Sequence, residues 1–225
     1  MSRWRFFRKA DKRREELEFW KERYREEGRL GHTHFEQFYT TAFDLSRQWY
    51  ENKRVLDIGC GPRGSLEWAD MASERVGLDP LADEYLNLGA NLHKMSYVRA
   101  PSDDIPFPDD YFDVVTSFNS LDHVDNLEKT IAEIVRVTKE GGSFLLIVEV
   151  NHPPTPTEPL TIEAASLLRS FTPRFSVTGS WRCAMRPGTH DIYGSVLANM
   201  APASDREPSI LCALLTKESP SDLPV

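Results

Sequence analysis

The stretch Val55-Leu-Asp-Ile-Gly-Cys-Gly-Pro-Arg-Gly64 sets the tightest limit on how this chain can fold. An apolar run broken by one acid, Asp57, passes directly into a turn with glycines at 59, 61 and 64. Glycine adopts backbone angles that other residues resist and lets the main chain approach a ligand where a Cβ would collide, while a following helix presents unpaired amides. The segment therefore predicts a buried strand, a tight ligand-holding loop and a helix. Its spacing also satisfies the G-x-G-x-x-G dinucleotide fingerprint, with Asp79 at the distance where an acid takes ribose hydroxyls. Asp57 tilts the choice between ligands, because a carboxylate under the loop repels pyrophosphate but organises a cationic amino-acid ligand through water and backbone amides.

From Arg54 onward short apolar runs alternate with helical segments, the pattern of a doubly wound parallel α/β sheet. Strands are predicted at 54–58, 75–78, 95–99, 112–117 and 143–150, with two more near 175–183 and 209–216. A helix opens at Asp125, with Glu128 as its capping partner, turns Leu127, Ile131, Ile134 and Val135 inward and closes at Gly141. Ahead of the sheet, Asp11 to Glu27 places Leu17, Trp20 and Tyr24 at helical spacing before Gly28, which predicts an amphipathic helix lying across the ligand pocket as a lid. Phe35 to Trp49 reads as a second helix bringing Phe38, Phe43, Leu45 and Trp49 to the core. Beyond a proline-rich loop at 151–159 a helix is expected near 161–171. Met185 to Pro208, rich in Pro, Gly, Ala and Asp, reads as an irregular substrate-side insertion. The expected organisation is a helical lid over 1–50, a main domain over 51–217 with an insertion near 185–208, and a flexible tail over 218–225.

A chain of 225 residues suffices for one substantial core. It has no apolar run near the roughly 20 residues that span a bilayer and no apolar signal core after its basic start, so the expectation is a cytoplasmic protein without stable membrane insertion. Cys60, Cys183 and Cys212 are few, odd in number and far apart, which fits neither a disulfide framework nor a zinc site. A net charge of -8 argues against a nucleic-acid partner. The local exception, Arg3, Arg5, Arg8, Lys9, Lys12, Arg13 and Arg14, reads as a solvated tail.

Four further landmarks follow in order: Arg75-Val-Gly-Leu-Asp-Pro80, Ile105-Pro-Phe-Pro-Asp-Asp-Tyr-Phe-Asp-Val-Val115, Leu121-Asp-His-Val124 and Ile134-Val-Arg-Val-Thr-Lys-Glu-Gly-Gly142. As a series they resemble the class I S-adenosylmethionine-dependent methyltransferases, in particular the type 11 small-molecule family, over roughly residues 50 to 150. The resemblance implies a Rossmann-like, mostly parallel seven-stranded sheet closed by a C-terminal antiparallel hairpin, S-adenosylmethionine as cofactor, and methyl transfer as activity. It further implies that the main chain of Gly59, Cys60 and Gly61 cradles the methionine portion, with Asp57 supporting the loop or meeting the cofactor's amino group. Asp79, followed by Pro80, would accept the ribose hydroxyls, and Leu81 would either cover one face of the adenine or be ordinary core. Many relatives carry Gly-Asp-Ala before the Leu-Pro-Phe stretch, whereas this chain has Ala100-Pro101-Ser102; the adenine-side acid is missing, and Ser102 or Asp103 is its candidate substitute. Arg63 reads either as a surface ion pair or as the partner of the cofactor's carboxylate.

Methyl transfer is an in-line displacement, so alignment of the acceptor is the protein's main task. A hydroxyl or protonated amine also needs a base, a role that suits histidine near neutral pH. His123 follows the fourth strand, at the edge where open sheets place ligands, and is the first candidate base; a capping or packing role is its alternative. Asn119 would face the reaction centre and Asp122 would orient the imidazole. His152, and His190 beside Asp191, are further candidates; His32 and His34 lie beside the lid, and His93 is expected at the surface. No metal is predicted from these spacings. The favoured reading is O-methylation of a small polar metabolite, a sugar or natural-product intermediate, by a monomer or homodimer. N- or C-methylation of a small molecule or quinone, nicotinamide oxidoreduction, and cofactor binding without catalysis are the alternatives. Trp181, Met185 and Tyr193 are the residues that would line a quinone groove.

Overall fold

The computed structural model describes residues 2–31, 35–155, 160–189, 191–219 and 221, with side chains from residue 12 onward. Seven strands form one sheet: β1 (Arg54–Ile58), β2 (Glu74–Asp79), β3 (Ser96–Arg99), β4 (Phe112–Phe118), β5 (Thr138–Val150), β6 (Phe175–Ala184) and β7 (Ser209–Lys217). Their order is β3-β2-β1-β4-β5-β7-β6. The first five run parallel, and β7 lies antiparallel between β5 and β6. Because the chain leaves β1 toward β2 and returns to add β4 on the other side, the loops after β1 and β4 diverge and open a crevice at their carboxyl ends.

Both faces of the sheet are covered, which is why its central strands read as continuous apolar runs. On β5, Leu146 and Val148 join one cluster with Leu56, Ile58, Ile131, Ile134 and Phe171. Their neighbours Leu145 and Ile147 face the opposite cluster with Phe38, Tyr39, Phe118 and Ile192, the alternation a pleated strand imposes. The first cluster lies under α4 (Leu127–Val137) and α5 (Ala164–Phe171), the second under α2 (Glu36–Tyr39) and α6 (Ile192–Ala198). A third packs Leu17, Trp20 and Tyr24 of α1 (Ser2–Glu27) on Leu81 and Tyr85, the latter in α3 (Ala82–Leu86).

Five segments depart from the sequence expectation. The helix expected after the glycine loop does not form, residues 65–68 making only a turn before β2. The basic start, expected as a solvated tail, is the beginning of α1, and Lys12 and Arg13 reach His123 and Asp125. Phe35 to Trp49 is no single helix: α2 is followed by short 3-10 turns at Thr41–Phe43 and Arg47–Tyr50, with Asp44 left-handed at φ 56° between them. Closely spaced aromatics are buried here, and Phe38, Tyr39, Phe43 and Tyr50 all reach the core only because the backbone bends. α4 is capped by Asn126, whose side chain accepts from the Lys129 amide at 3.1 Å, and it ends at Val137 rather than running on to Gly141. β5 therefore begins five residues early, and its ladder with β4 shifts register between Phe112↔Thr138 and Val114↔Ser143, absorbing Gly141 at φ 70°. The insertion contains α6, opened by Asp191, which accepts from the Gly194 amide at 2.8 Å, with Ile192 and Val196 buried one turn apart. Most of the predicted tail, His32, His34, His190 and the side chains of Arg3, Arg5, Arg8 and Lys9 lie outside the described residues.

Candidate active site

Gly59 leaves β1 with φ 69°, and a Cβ there would collide with Ser120 beyond β4; Gly61 follows at φ 57°, with the Trp20 ring 3.4 Å from its absent Cβ. Both backbone conformations favour glycine, and at Gly59 the clearance requires it as well. Asp57, buried below the loop, accepts from Tyr39 Oη at 3.0 Å, from Thr116 Oγ1 at 2.7 Å and from Ser65 Oγ. Burial pushes its carboxyl up, and these three hydroxyl donors pull it back. The acid thus ties the glycine loop to β4 and to the aromatic segment before β1. Tyr39, Ser65 and Thr116 escaped sequence reasoning, although a Thr-Ser pair inside the apolar strand Phe112–Phe118 was a signal.

Asp79 ends β2. Its carboxylate accepts from the Leu81 amide at 2.8 Å and the Gly61 amide at 3.3 Å, joining strand, turn and loop at one point. Burial first, and then the negative charge of Glu16 on α1, push its carboxyl up to about 7. Pro80 carries the turn, and Leu81 packs into the cluster beneath α1 rather than into open space. The Cys60 thiol is buried in the loop, and that burial pushes it well up, so its main chain is what the loop offers. On the expected adenine side, the Ser102 hydroxyl is paired with Thr130 of α4 at 2.9 Å, leaving its main chain and the half-buried Asp103 as polar groups.

Across the crevice, Asn119 follows β4 in the left-handed region at φ 53°, its amide donating to Ile147 O at 2.7 Å. A non-glycine residue there stores backbone strain, a feature common at functional sites. Its Oδ1 is buried without a hydrogen-bond partner among the described residues. The next turn, Leu121–His123, buries Asp122 completely. His123 Nε2 stands 3.9 Å and His152 Nε2 3.8 Å from Asp122 Oδ2. Both distances are within ion-pair reach and longer than a hydrogen bond. Two imidazoles from the ends of β4 and β5 thus converge on one buried carboxylate. Ser120 Oγ binds Ile58 O and Ser117 Oγ, each at 2.7 Å, fastening this turn to the glycine loop.

Arg63 pairs with Glu27 of α1 at 2.6 and 2.8 Å, with its guanidinium 5.5 Å from the Trp20 ring. His93 is half-buried rather than exposed, its Nδ1 2.8 Å from Tyr97 Oη beside Gly64. Trp181 packs on Phe43 at 5.2 Å and Tyr193 on Phe38 at 4.6 Å, so both are joints between the aromatic segment and the C-terminal elements, with Met185 packed beside them. Among the described residues, no group of three or more His, Cys, Asp and Glu side chains is set to hold a metal, and no helix is long and apolar enough to cross a membrane.

A switch-point crevice bordered by a left-handed glycine loop, a strand-end acid and a polar turn after β4 defines a class I S-adenosylmethionine-dependent methyltransferase fold. Residues 56–146 match the family model described as "Methyltransferase domain". The ubiquinone/menaquinone biosynthesis C-methyltransferase UbiE of Stutzerimonas stutzeri is 38% identical over 112 residues, 49% of this chain and 39% of that protein. The structure of YcgJ from Bacillus subtilis superposes with TM-score 0.58 at 18% identity, covering 80% of this chain and 99% of that one. The N-methyltransferase NodS of Bradyrhizobium japonicum, solved with S-adenosyl-L-homocysteine, gives 0.57 at 15% identity over 83% and 89%. The chain spans less than half the length of the curated relatives it matches.

Proposed function

We propose that this protein transfers the methyl group of S-adenosylmethionine to a hydroxyl of a small polar molecule, a sugar or natural-product intermediate. The observation carrying this reading is the convergence of His123 and His152 on buried Asp122, beside the unpartnered Asn119 Oδ1. The cofactor side fits the same reading. Gly59 leaves no room for a side chain, Gly61 holds a left-handed backbone, Asp79 stands where a diol would be held, and the acids nearby suit a cation. Gly59, Cys60 and Gly61 would hold the methionine portion, Asp79 the ribose, and Pro80, Leu81, Ser102 and Asp103 the adenine side, with α1 as the lid.

When bound, S-adenosylmethionine supplies an electrophilic methyl on a positively charged sulfur. The protein's part is alignment and one proton. Asn119 Oδ1 accepts from a neighbouring hydroxyl of the acceptor and so fixes the direction of the reacting one, part of an alignment effect that in favourable cases reaches roughly 7–11 kcal/mol. The His123 imidazole takes the hydroxyl proton as the new bond forms, and Asp122, facing its Nε2, stabilises the imidazolium that results. His152, sharing that carboxylate, keeps it in place. Replacing His123 with Ala, or Asp122 with Asn, is expected to lower kcat by roughly 10²- to 10⁴-fold while cofactor affinity stays unchanged. Full turnover by the His123→Ala variant would remove the base assignment.

A second reading, C-methylation of a quinol-like ring, is favoured by the similarity to UbiE. It predicts turnover with quinol analogues and none with glycosides, so one acceptor panel separates the two. The proposal takes the enzyme to act in the cytoplasm as a monomer or homodimer, checked by fractionation and light scattering.

A further inference from the structure

Helix α1 crosses the cofactor cleft pinned near its middle and at its C-terminal end. Lys12 Nζ donates to the His123 carbonyl, and Arg13 lies 3.7 Å from Asp125, both on the acceptor side. At the far end Glu27 takes both guanidinium nitrogens of Arg63 at 2.6 and 2.8 Å. Between these pins the inner face is apolar, with Leu17, Trp20 and Tyr24 against Leu81 and Tyr85. Glu16 breaks that face. Its Oε1 accepts from Tyr85 Oη at 3.2 Å, and Tyr85 is itself fully buried just beyond Asp79. So held, the Glu16 charge acts on both Asp79 and Cys60, the strand-end acid and the middle of the glycine loop.

A carboxylate carried on the inner face of a lid and closed over a second, buried carboxylate is costly, and an apolar residue there would close the lid more tightly. Lys12 and Arg13 offset part of that cost from Glu16's own helix; Asp79 and Asp57 add to the negative charge from the sheet side. The arrangement becomes favourable when a ligand places hydroxyl donors between the two acids, since hydrogen bonds to ionised acceptors are the strong kind. A vicinal diol offers two donors, one for each carboxylate.

We propose that Glu16 and Asp79 form a two-carboxylate clamp on the ribose diol of the cofactor, half of it built into the fold and half carried by the lid. The inference rests on the S-adenosylmethionine reading of the pocket. It makes cofactor capture and lid closure one event, and it gives the site a second acid although Ala100-Pro101-Ser102 supplies none.

The test is calorimetric titration of the wild type, Glu16→Ala, Glu16→Gln, Tyr85→Phe and Asp79→Asn with S-adenosylhomocysteine, adenosine and 2′,3′-dideoxyadenosine. Losing a charge-assisted hydrogen bond weakens binding roughly tenfold or more, so Glu16→Ala is expected to lose that much affinity for S-adenosylhomocysteine, with Glu16→Gln and Tyr85→Phe losing less. Removing the diol should cost the wild type several-fold more than it costs Glu16→Ala, because the two changes delete one contact. Equal diol costs in both proteins, or undiminished affinity in Glu16→Ala while Asp79→Asn fails, would overturn the clamp alone. A wild type that binds neither S-adenosylmethionine nor S-adenosylhomocysteine would overturn the pocket reading beneath it.

Discussion

In the proposed pocket cofactor recognition turns on Asp79, whose two oxygens already hold the Leu81 and Gly61 amides. Replacing it with Asn is expected to reduce S-adenosylhomocysteine affinity by roughly 100-fold, about 2.7 kcal/mol, read by calorimetry. Its titration also bears on stability. Burial and the nearby Glu16 hold the folded carboxyl near 7, and burial raises Glu16 as well. Unfolded carboxyls titrate near 4. Groups raised on folding favour the folded state below the unfolded value, and this stability is lost as pH rises toward about 7. Asp113 and Glu133, held low by their basic partners, have the opposite sign but act only in more acid solution. The Tm of the ligand-free protein should therefore fall between pH 5 and pH 8, and Glu16→Gln should flatten the slope; a Tm rising over that range would contradict the assignment. Asp57, Asp79 and the glycines were legible in sequence because they sit on one short strand-turn signal each. Thr116 and Tyr85 were not, because they meet Asp57 and Glu16 across 59 and 69 residues of chain.

At the scale of elements, the loop after β1 is the least tolerant. Gly59→Ala demands a left-handed alanine, costing about 1–2 kcal/mol, in addition to its collision with Ser120. Thermal melts should show that loss, and titrations should show weakened binding even where the fold survives. α6 provides a second check: Ile192→Ala, emptying a buried site between α2 and the sheet, should destabilise by about 2–5 kcal/mol in denaturant unfolding. A loss below 0.5 kcal/mol, the ordinary scatter of surface changes, would mean that α6 does not contribute to the core. Strand positions were legible because apolar runs bounded by turns have few other solutions in a sheet covered on both faces. α6 was missed because seven helical residues were set among Pro, Gly and Asp that dominated the composition, while the Asp191 cap and the Ile192–Val196 spacing carried the true signal. The Phe35–Trp49 stretch failed for the opposite reason, its aromatics satisfying a helical pattern that tertiary packing overrode.

For the molecule as a whole, strand order explains why chemistry collects at one edge. The crossover beside β1 brings the glycine loop, the Asn119–His123 turn and His152 to the same end of the sheet, and α1 closes over it. The ordered motifs made this edge predictable, whereas the joint use of Asp122 by two histidines emerged only from the fold. The central claim, a pocket for S-adenosylmethionine, is tested most directly by titrating the purified protein with S-adenosylmethionine, S-adenosylhomocysteine and NADH under identical conditions. The account predicts saturable binding of the first two at one site per chain and no response to NADH. Binding of NADH alone would contradict it and return the glycine loop to a dinucleotide.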